Sequence, residues 1–435
     1  MAATAAWVAL AIAGTFALSA QPARRAPSSI GLPDKVNQYA SMASRGAWVA
    51  LVWSGSSETA GANVYAAVSR DGGASFGRPA RVNDVARQAD VNGEQPPRVA
   101  FVTNAGETPQ VVVVWTAKSA GGTQLLSARS TDGGRTFSAS APVPGSDAAG
   151  NRGWESIAAD PGGGIHAVWL DHRDAASPGA AGHAGHQHGA TATDSSPEDG
   201  AARAQRSQLY VGSLDAGAGP RSIARGVCYC CKTAALTGPD GALYVAWRHV
   251  YPGNQRDIAF AVSRDRGRSF AAPVRVSEDR WQLDGCPENG PSLALGDRGR
   301  VFVLWPTLVK EQGSGESLRL FLSSTADGVR FTPRAALPVT GAAYHPQLVT
   351  TPDGTLFAAW DEAAAGGPRQ IKVARGRPDE RGQVTFGPVD LGSDTAGSYP
   401  VLAATPTHVV VAWTARHGSQ SMITVTRLPL RMASR

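Results

Sequence analysis

The four cysteines of this chain are the residues whose types and spacing point most directly to chemistry. Cys228, Cys230 and Cys231 form the run "CYCC", and the fourth is Cys286. A Cys-x-Cys-Cys run with a further cysteine offers soft donors, which suit copper or zinc, although the spacing matches no standard zinc site. The competing reading, in an exported chain, is a disulfide, most simply from Cys286 to one of the other three. A second set of donors, His183, His186 and His188, lies in a Gly/Ala-rich stretch from 175 to 206. Such a composition cannot build a packed core, so 175–206 is expected to be a disordered insertion, either a tolerated loop or a metal-capturing one.

The elements that must position these residues repeat. Seven apolar runs end in tryptophan, at Trp53, Trp115, Trp169, Trp247, Trp305, Trp360 and Trp413. The intervals are 62, 54, 78, 58, 55 and 53 residues, and the His-rich insertion accounts for the longest. Periods of this length, with several short strands in each, are the signature of a β-propeller. Each period reads as a first strand, a tight turn such as "TPDGT" at Thr351, the Trp strand, a third strand, a polar octapeptide and a fourth strand. The expected fold is all-β, a seven-bladed propeller of four-stranded antiparallel blades, with six blades as the alternative if one repeat is irregular. The last repeat supplies only three strands, and "IGLPDKVNQ" (Ile30 to Gln38) matches the fourth-strand stretch "FGRPARVND". The N-terminal segment is therefore expected to close the ring and remove its sheet edges. The tryptophans are expected to fill core between blades.

The octapeptide occurs intact as "SRDGGASF" at Ser69, "STDGGRTF" at Ser130 and "SRDRGRSF" at Ser263. At Ser324, "STADGVRF", the aspartate falls one place late. This pattern resembles the Asp box, or BNR repeat, of the sialidase superfamily, and the resemblance runs through essentially the whole chain after its first segment. Serine and aspartate side chains there satisfy turn backbone, and glycine supplies a conformation other residues resist. The motif reports architecture, so chemistry belongs elsewhere.

Octapeptide and "PDG" turns fall on one face of such a ring. The opposite face collects the loops leading into each first strand and the loops after each tryptophan. The leading loops carry Glu94, Trp154 and Glu155, the cysteines with Lys232, Glu288, Tyr344 with His345, and Tyr399. Glu155, Lys232, Gly290, His345 and Tyr399 stand 14 or 15 residues before a tryptophan and are expected to ring the axial mouth. The post-tryptophan loops carry Asp171 to Asp174, Arg248 with His249, Asp361 with Glu362, and Arg416 with His417. A cleft so built is the expected site for a small-molecule, glycan or metal ligand.

The resemblance implies a sialidase arrangement of three arginines, a tyrosine nucleophile assisted by glutamate, and an aspartate acid. Here Arg173, Arg248 and Arg416 are the cations on offer, Tyr399 or Tyr344 the nucleophile, Glu155 or Glu94 its partner, and Asp171 or Asp174 the acid. The family's Arg-Ile-Pro motif is missing, and sialidases have six blades. The leading expectation is therefore a ligand- or metal-binding protein, with an exo-α-sialidase or another glycoside hydrolase acting on an anionic glycan as the alternative.

Residues 1–20, "MAATAAWVALAIAGTFALSA", read as an export signal, 21–29 as a flexible leader, and 30–430 as one domain. The protein is expected to be periplasmic or secreted, without a stable membrane span after signal removal and with an envelope protein as a possible partner. The net charge of +6 forms no basic block, which speaks against nucleic acid and for a mild preference for anions.

Overall fold

The computed structural model describes residues 27–430 apart from 58–59, 104–106, 175–196, 216–218, 284–286, 312–314, 365–366 and 418–419. Seven four-stranded antiparallel sheets form the ring of a seven-bladed β-propeller. First strands begin the blades at Val36–Arg45, Arg98–Val102, Arg152–Ala159, Ala234–Thr237, Ser292–Leu295, Ala342–Thr350 and Ser398–Ala404. Every second strand carries one of the seven repeated tryptophans, and each of these is at most 2% exposed. Runs of valine, alanine and leucine on both sides of each tryptophan, as in Gln110–Ser119, fit strands buried on both faces between neighbouring blades. Hydrophobic clusters accordingly span blade pairs, as where Val49, Leu51 and Trp53 pack with Val401, Val410 and Ile423.

The ring closes where the first strand of the chain meets the last. Ser28, Ser29 and Ile30 pair antiparallel with Val425, Thr424 and Ile423. The closing strand is thus shorter and earlier than Ile30 to Gln38, and it takes in part of the expected leader. From Val36 onward the chain already runs as the first strand of blade one, because Val36 and Asn37 pair with Ser56 and Gly55. Asn37 fastens the junction by donating from Nδ2 to the Ser421 carbonyl oxygen at 3.1 Å.

The octapeptide turns join third and fourth strands. Ser69 Oγ accepts from Gly73 N at 2.8 Å, while Asp71 Oδ1 accepts from Ser75 N at 2.9 Å. Ser130 with Asp132 and Ser263 with Asp265 repeat this geometry. At the irregular repeat, Thr325 rather than Ser324 takes the serine role, and its Oγ1 accepts from Gly328 N at 2.9 Å. Asp327 is therefore in register after all, in a turn one residue shorter. Gly73 has φ 81°, and a Cβ there would lie 2.8 Å from Val410 of the adjoining blade, so the position needs glycine twice over.

The expected disordered insertion ends in structure. Residues Pro197–Arg206 form a helix, because "PEDGAARAQR" combines a proline start, acidic residues and good helix formers. His183, His186 and His188 lie outside the described residues, as do the export signal and Cys286.

Candidate functional site

One position recurs two residues ahead of the point where each first strand settles into pairing with its Trp strand. It is held by Tyr39, Pro96, Trp154, Lys232, Gly290, His345 and Tyr399 in blade order. Bulges there interrupt the ladder between Gln38 and Ser41, Gly153 and Ser156, Tyr344 and Gln347, and Ser398 and Val401. At these bulges Tyr39, Trp154, His345 and Tyr399 take left-handed φ values of 59°, 54°, 49° and 54°. Bulky residues avoid that region at a cost of about 1–3 kcal/mol each, and such strain gathers where side chains must be aimed. In blade three the position belongs to Trp154, not Glu155, which turns inward.

The bulges at Tyr39, His345 and Tyr399 aim side chains into the axial mouth, whereas Trp154 packs against His172 and the cysteine cluster. Tyr39, Arg98, Lys232, His345, Gln347 and Tyr399 line a small pocket that opens to solvent at the axial mouth. Gly93 and Pro96 belong to its wall, and a Cβ on Gly93 would run into the Tyr399 ring. Tyr399 stands edge-on to Tyr39 with centroids 5.6 Å apart, and its ring lies 4.0 Å from that of His345.

The charges beneath the mouth are unevenly matched. Glu94 Oε2 accepts from the backbone N–H of Lys232 at 3.1 Å and of Gly290 at 3.2 Å. Glu155 Oε2 accepts from Thr116 Oγ1 at 3.0 Å, and Arg98 Nε donates to the Glu155 carbonyl oxygen at 2.6 Å. Burial pushes the Glu155 carboxyl upward against the opposing pull of Arg98, which favours its neutral form. Burial lowers both Lys232 and Arg98, while Glu94 works to keep each of them charged. Neither cation has an ion pair with a carboxylate among the described residues. Arg98 Nη2, Glu94 Oε1 and Glu155 Oε1 are buried without a hydrogen-bond partner there.

His345 Nδ1 and Asp361 Oδ1 are 2.7 Å apart, and Arg369 Nη1 donates to Asp361 Oδ2 at 2.8 Å. Burial works to raise Asp361, but His345 and Arg369 hold it below the usual carboxylate range. Arg369 also stacks over Tyr344 at 4.1 Å. Burial, with Glu94, Tyr39 and Asp361 adding to it, raises the Tyr399 phenol, which favours its neutral form.

The other candidates are spread through the blades. Asp171 is fully buried, accepting from Trp169 Nε1 at 3.0 Å, Arg152 Nε at 3.2 Å and Arg173 Nη2 at 2.7 Å. Asp174 lies at the surface with Arg225. Arg248 is 1% exposed and donates to the carbonyl oxygens of Asn289, Arg256 and Pro306. Glu362 accepts from Trp360 Nε1 at 2.8 Å. Arg416 is exposed. Arg173 and Arg248 thus occupy separate surroundings, while Arg416 acts electrostatically on Tyr39 at the mouth, whose lining carries Arg98 and Lys232. Arg98 was missed because it begins a regular strand; only its place in the register, two residues past Pro96, signals it.

The cysteine loop borders this mouth through Lys232. Cys228 Sγ lies 3.5 Å from Cys231 Sγ and 3.8 Å from Cys230 Sγ. Cys228 and Cys231 are free, whereas Cys230 is in a disulfide. A hydrogen bond from Cys231, aided by Arg256 and Arg248, holds the Cys228 thiol below its usual range against burial. Burial and the neighbouring Cys228 push Cys231 up.

No family model matches this sequence, and no curated protein does. The fold has solved relatives. The GH93 α-L-arabinofuranosidase of Fusarium graminearum, in complex with arabinobiose, is similar at a TM-score of 0.52 and 12% identity, over 93% of this chain and 98% of that chain. A Dyadobacter fermentans protein of unknown function is similar at 0.51 and 12%, over 94% and 99%. The Trypanosoma rangeli sialidase follows at 0.44 and 9%, over 90% and 55%, too distant to carry an argument. At these identities the likeness shows the fold alone.

Proposed function

We propose that this protein binds a small, hydroxylated anion, of the class of acidic monosaccharides, at the axial mouth. The observation that carries the reading is that Arg98 and Lys232 line the mouth with no carboxylate ion pair among the described residues. A ligand carboxylate satisfies both cations. Tyr39 and Tyr399 supply flat apolar faces for a sugar ring. Calorimetric titration with glucuronate, galacturonate and N-acetylneuraminate tests it, with the neutral sugars as controls. Binding of the acids and not of their neutral counterparts is expected; no acidic sugar binding at millimolar concentration would falsify the reading.

The solved relatives include an arabinofuranosidase, and two carboxyls with unlike surroundings, Glu94 and Glu155, are what glycoside hydrolysis uses. Both lie below the cavity lining, under Arg98 and Lys232, so binding is the better-supported activity. Aryl sialosides and arabinosides give the check, and turnover lost in Glu155→Gln would move the protein among the hydrolases.

A soft metal is the second ligand with an observation behind it. The sulfurs of Cys228, Cys230 and Cys231 all lie within 4.8 Å of one another. With Cys230 in a disulfide, two thiols remain as donors, so copper or zinc capture is a property of the reduced state. Metal analysis of oxidised and anaerobically reduced protein decides it, and less than stoichiometric metal in both removes the reading. Export belongs to the same proposal, and an intact mass lacking residues 1–20 is its signature.

A further inference from the structure

The loop 228–231 stores more chemistry than anion binding uses. A free thiol, Cys228, rests 3.8 Å from a sulfur already in a disulfide, Cys230, and a second free thiol, Cys231, stands 3.5 Å behind it. Arg256 Nη1 donates to Cys228 Sγ at 3.2 Å. Arg256 and Arg248 are at most 1% exposed, and neither is ion-paired with a carboxylate among the described residues. Arg248 spends its hydrogen bonds on carbonyl oxygens, which carry no compensating charge. Two buried guanidiniums without a carboxylate favour a negative charge nearby, and the Cys228 sulfur that Arg256 contacts is placed to carry it.

The helix Pro197–Arg206 covers this knot. Ala204 is fully buried and clusters with Cys228, Cys230, Cys231 and Val250, and Gln205 Nε2 donates to the Val250 carbonyl oxygen at 3.3 Å. The Arg203 guanidinium sits 5.3 Å from the centre of the Tyr229 ring. Cys230, at 7% exposed, is the least buried of the three residues, against 1% for Cys228 and 2% for Cys231.

We propose that Cys228, Cys230 and Cys231 form a thiol–disulfide exchange site, in which the Cys228/Cys231 pair reduces the disulfide held by Cys230. The Cys228 thiolate attacks Cys230 Sγ. A Cys228–Cys230 bond forms while the bond from Cys230 to its present partner breaks, and that partner leaves as a thiolate, taking the proton that Cys228 gave up. Cys231, deprotonated in turn, attacks Cys228 Sγ, forming a Cys228–Cys231 bond and expelling Cys230, which takes the proton from Cys231. One disulfide and two thiols begin the sequence and end it, so no outside oxidant is consumed. Both sulfur contacts must close to about 2 Å, a short path for neighbours on one loop. Cys230, the least buried of the three residues, then becomes a thiol able to exchange with low-molecular-weight thiols and disulfides.

The site is independent of the anion-binding reading, and its test uses a separate readout. The protein is equilibrated over a series of reduced-to-oxidised glutathione ratios, acid-quenched, alkylated and cleaved by trypsin. Cleavage after Arg225 and Lys232 leaves Cys228, Cys230 and Cys231 in one peptide, 226–232. The expected new species has an internal Cys228–Cys231 bond and alkylated Cys230, beside the resting species alkylated at Cys228 and Cys231. Cys228→Ser and Cys231→Ser both abolish the internal species; should the first fail to fold, the second keeps the Cys228–Arg256 contact and carries the same expectation. Finding only the resting and the fully reduced species at every ratio overturns the proposal. So does a stoichiometric metal on the reduced sulfurs that blocks the internal bond.

Discussion

An ammonium group as deeply buried as that of Lys232 loses its proton at a lower pH than a surface lysine. Anion binding at the mouth is therefore complete below that depressed value and falls as pH rises through it. Lys232→Met and Arg98→Met each remove a charge-assisted hydrogen bond, worth about tenfold to a hundredfold in affinity. Titrations from neutral to alkaline pH check both, and affinity that is flat with pH, or unchanged in Lys232→Met, contradicts them. Asp361 makes a separate prediction. Because His345 and Arg369 hold its pKa down, its stabilising effect is present above the ordinary aspartate range and is lost as pH falls through the lowered value. Asp361→Asn leaves that arrangement uncompensated and should cost about 3–5 kcal/mol near neutral pH. Thermal unfolding of both proteins against pH shows it, as a gap that narrows toward acid.

At the scale of elements, the octapeptide turns are small closed systems of serine, aspartate and backbone N–H groups. Slight burial opposes the charge of Asp71, but hydrogen bonds from Ser75 and Ser69 outweigh it and hold its pKa at about 2, against 3.8 ordinarily. The turn thus keeps its full strength above the ordinary value and weakens as pH falls toward 2. Ser69→Ala removes the oxygen that accepts from Gly73 and should cost about 1 kcal/mol, read from the denaturant midpoint at unchanged slope. The turns were legible because their partners lie within a few residues. Thr325 taking over from Ser324 was not, since spacing to Asp327 alone cannot tell which hydroxyl faces the backbone. The bulges were hidden for a related reason. Nothing local in "NQYAS" or "GSYPV" announces a left-handed Tyr39 or Tyr399; the ring imposes it, by demanding that strands crowd at the axis.

For the whole molecule, closure is the property on which stability turns. The Ser28–Ile30 strand covers an edge that would otherwise stay open on the last blade. Deleting Ser28 to Ile30 should lower the unfolding temperature and promote edge-to-edge association, measured by calorimetry and light scattering. An unaltered transition and a monodisperse sample would show that closure does not depend on this strand. The seven tryptophans set the other limit. Trp305 is completely buried, and Trp305→Ala should cost about 3–5 kcal/mol.

The sequence alone determined the blade count, because seven apolar strands ending in tryptophan recur at nearly constant intervals and hydrophobic periodicity is a local signal. It also determined which face carries the polar loops, since turn residues mark each strand end. Only the tertiary structure decided which polar residues meet. Arg98, Lys232 and Glu94 come from blades two and four and touch across an axis that no local pattern encodes. Arg173, Arg248 and Asp171, equally polar in the sequence, are consumed by carbonyls, carboxylates and tryptophan N–H groups inside the blades. Burial and partnership are properties of the assembled ring, and they separate a side chain that binds from one that braces.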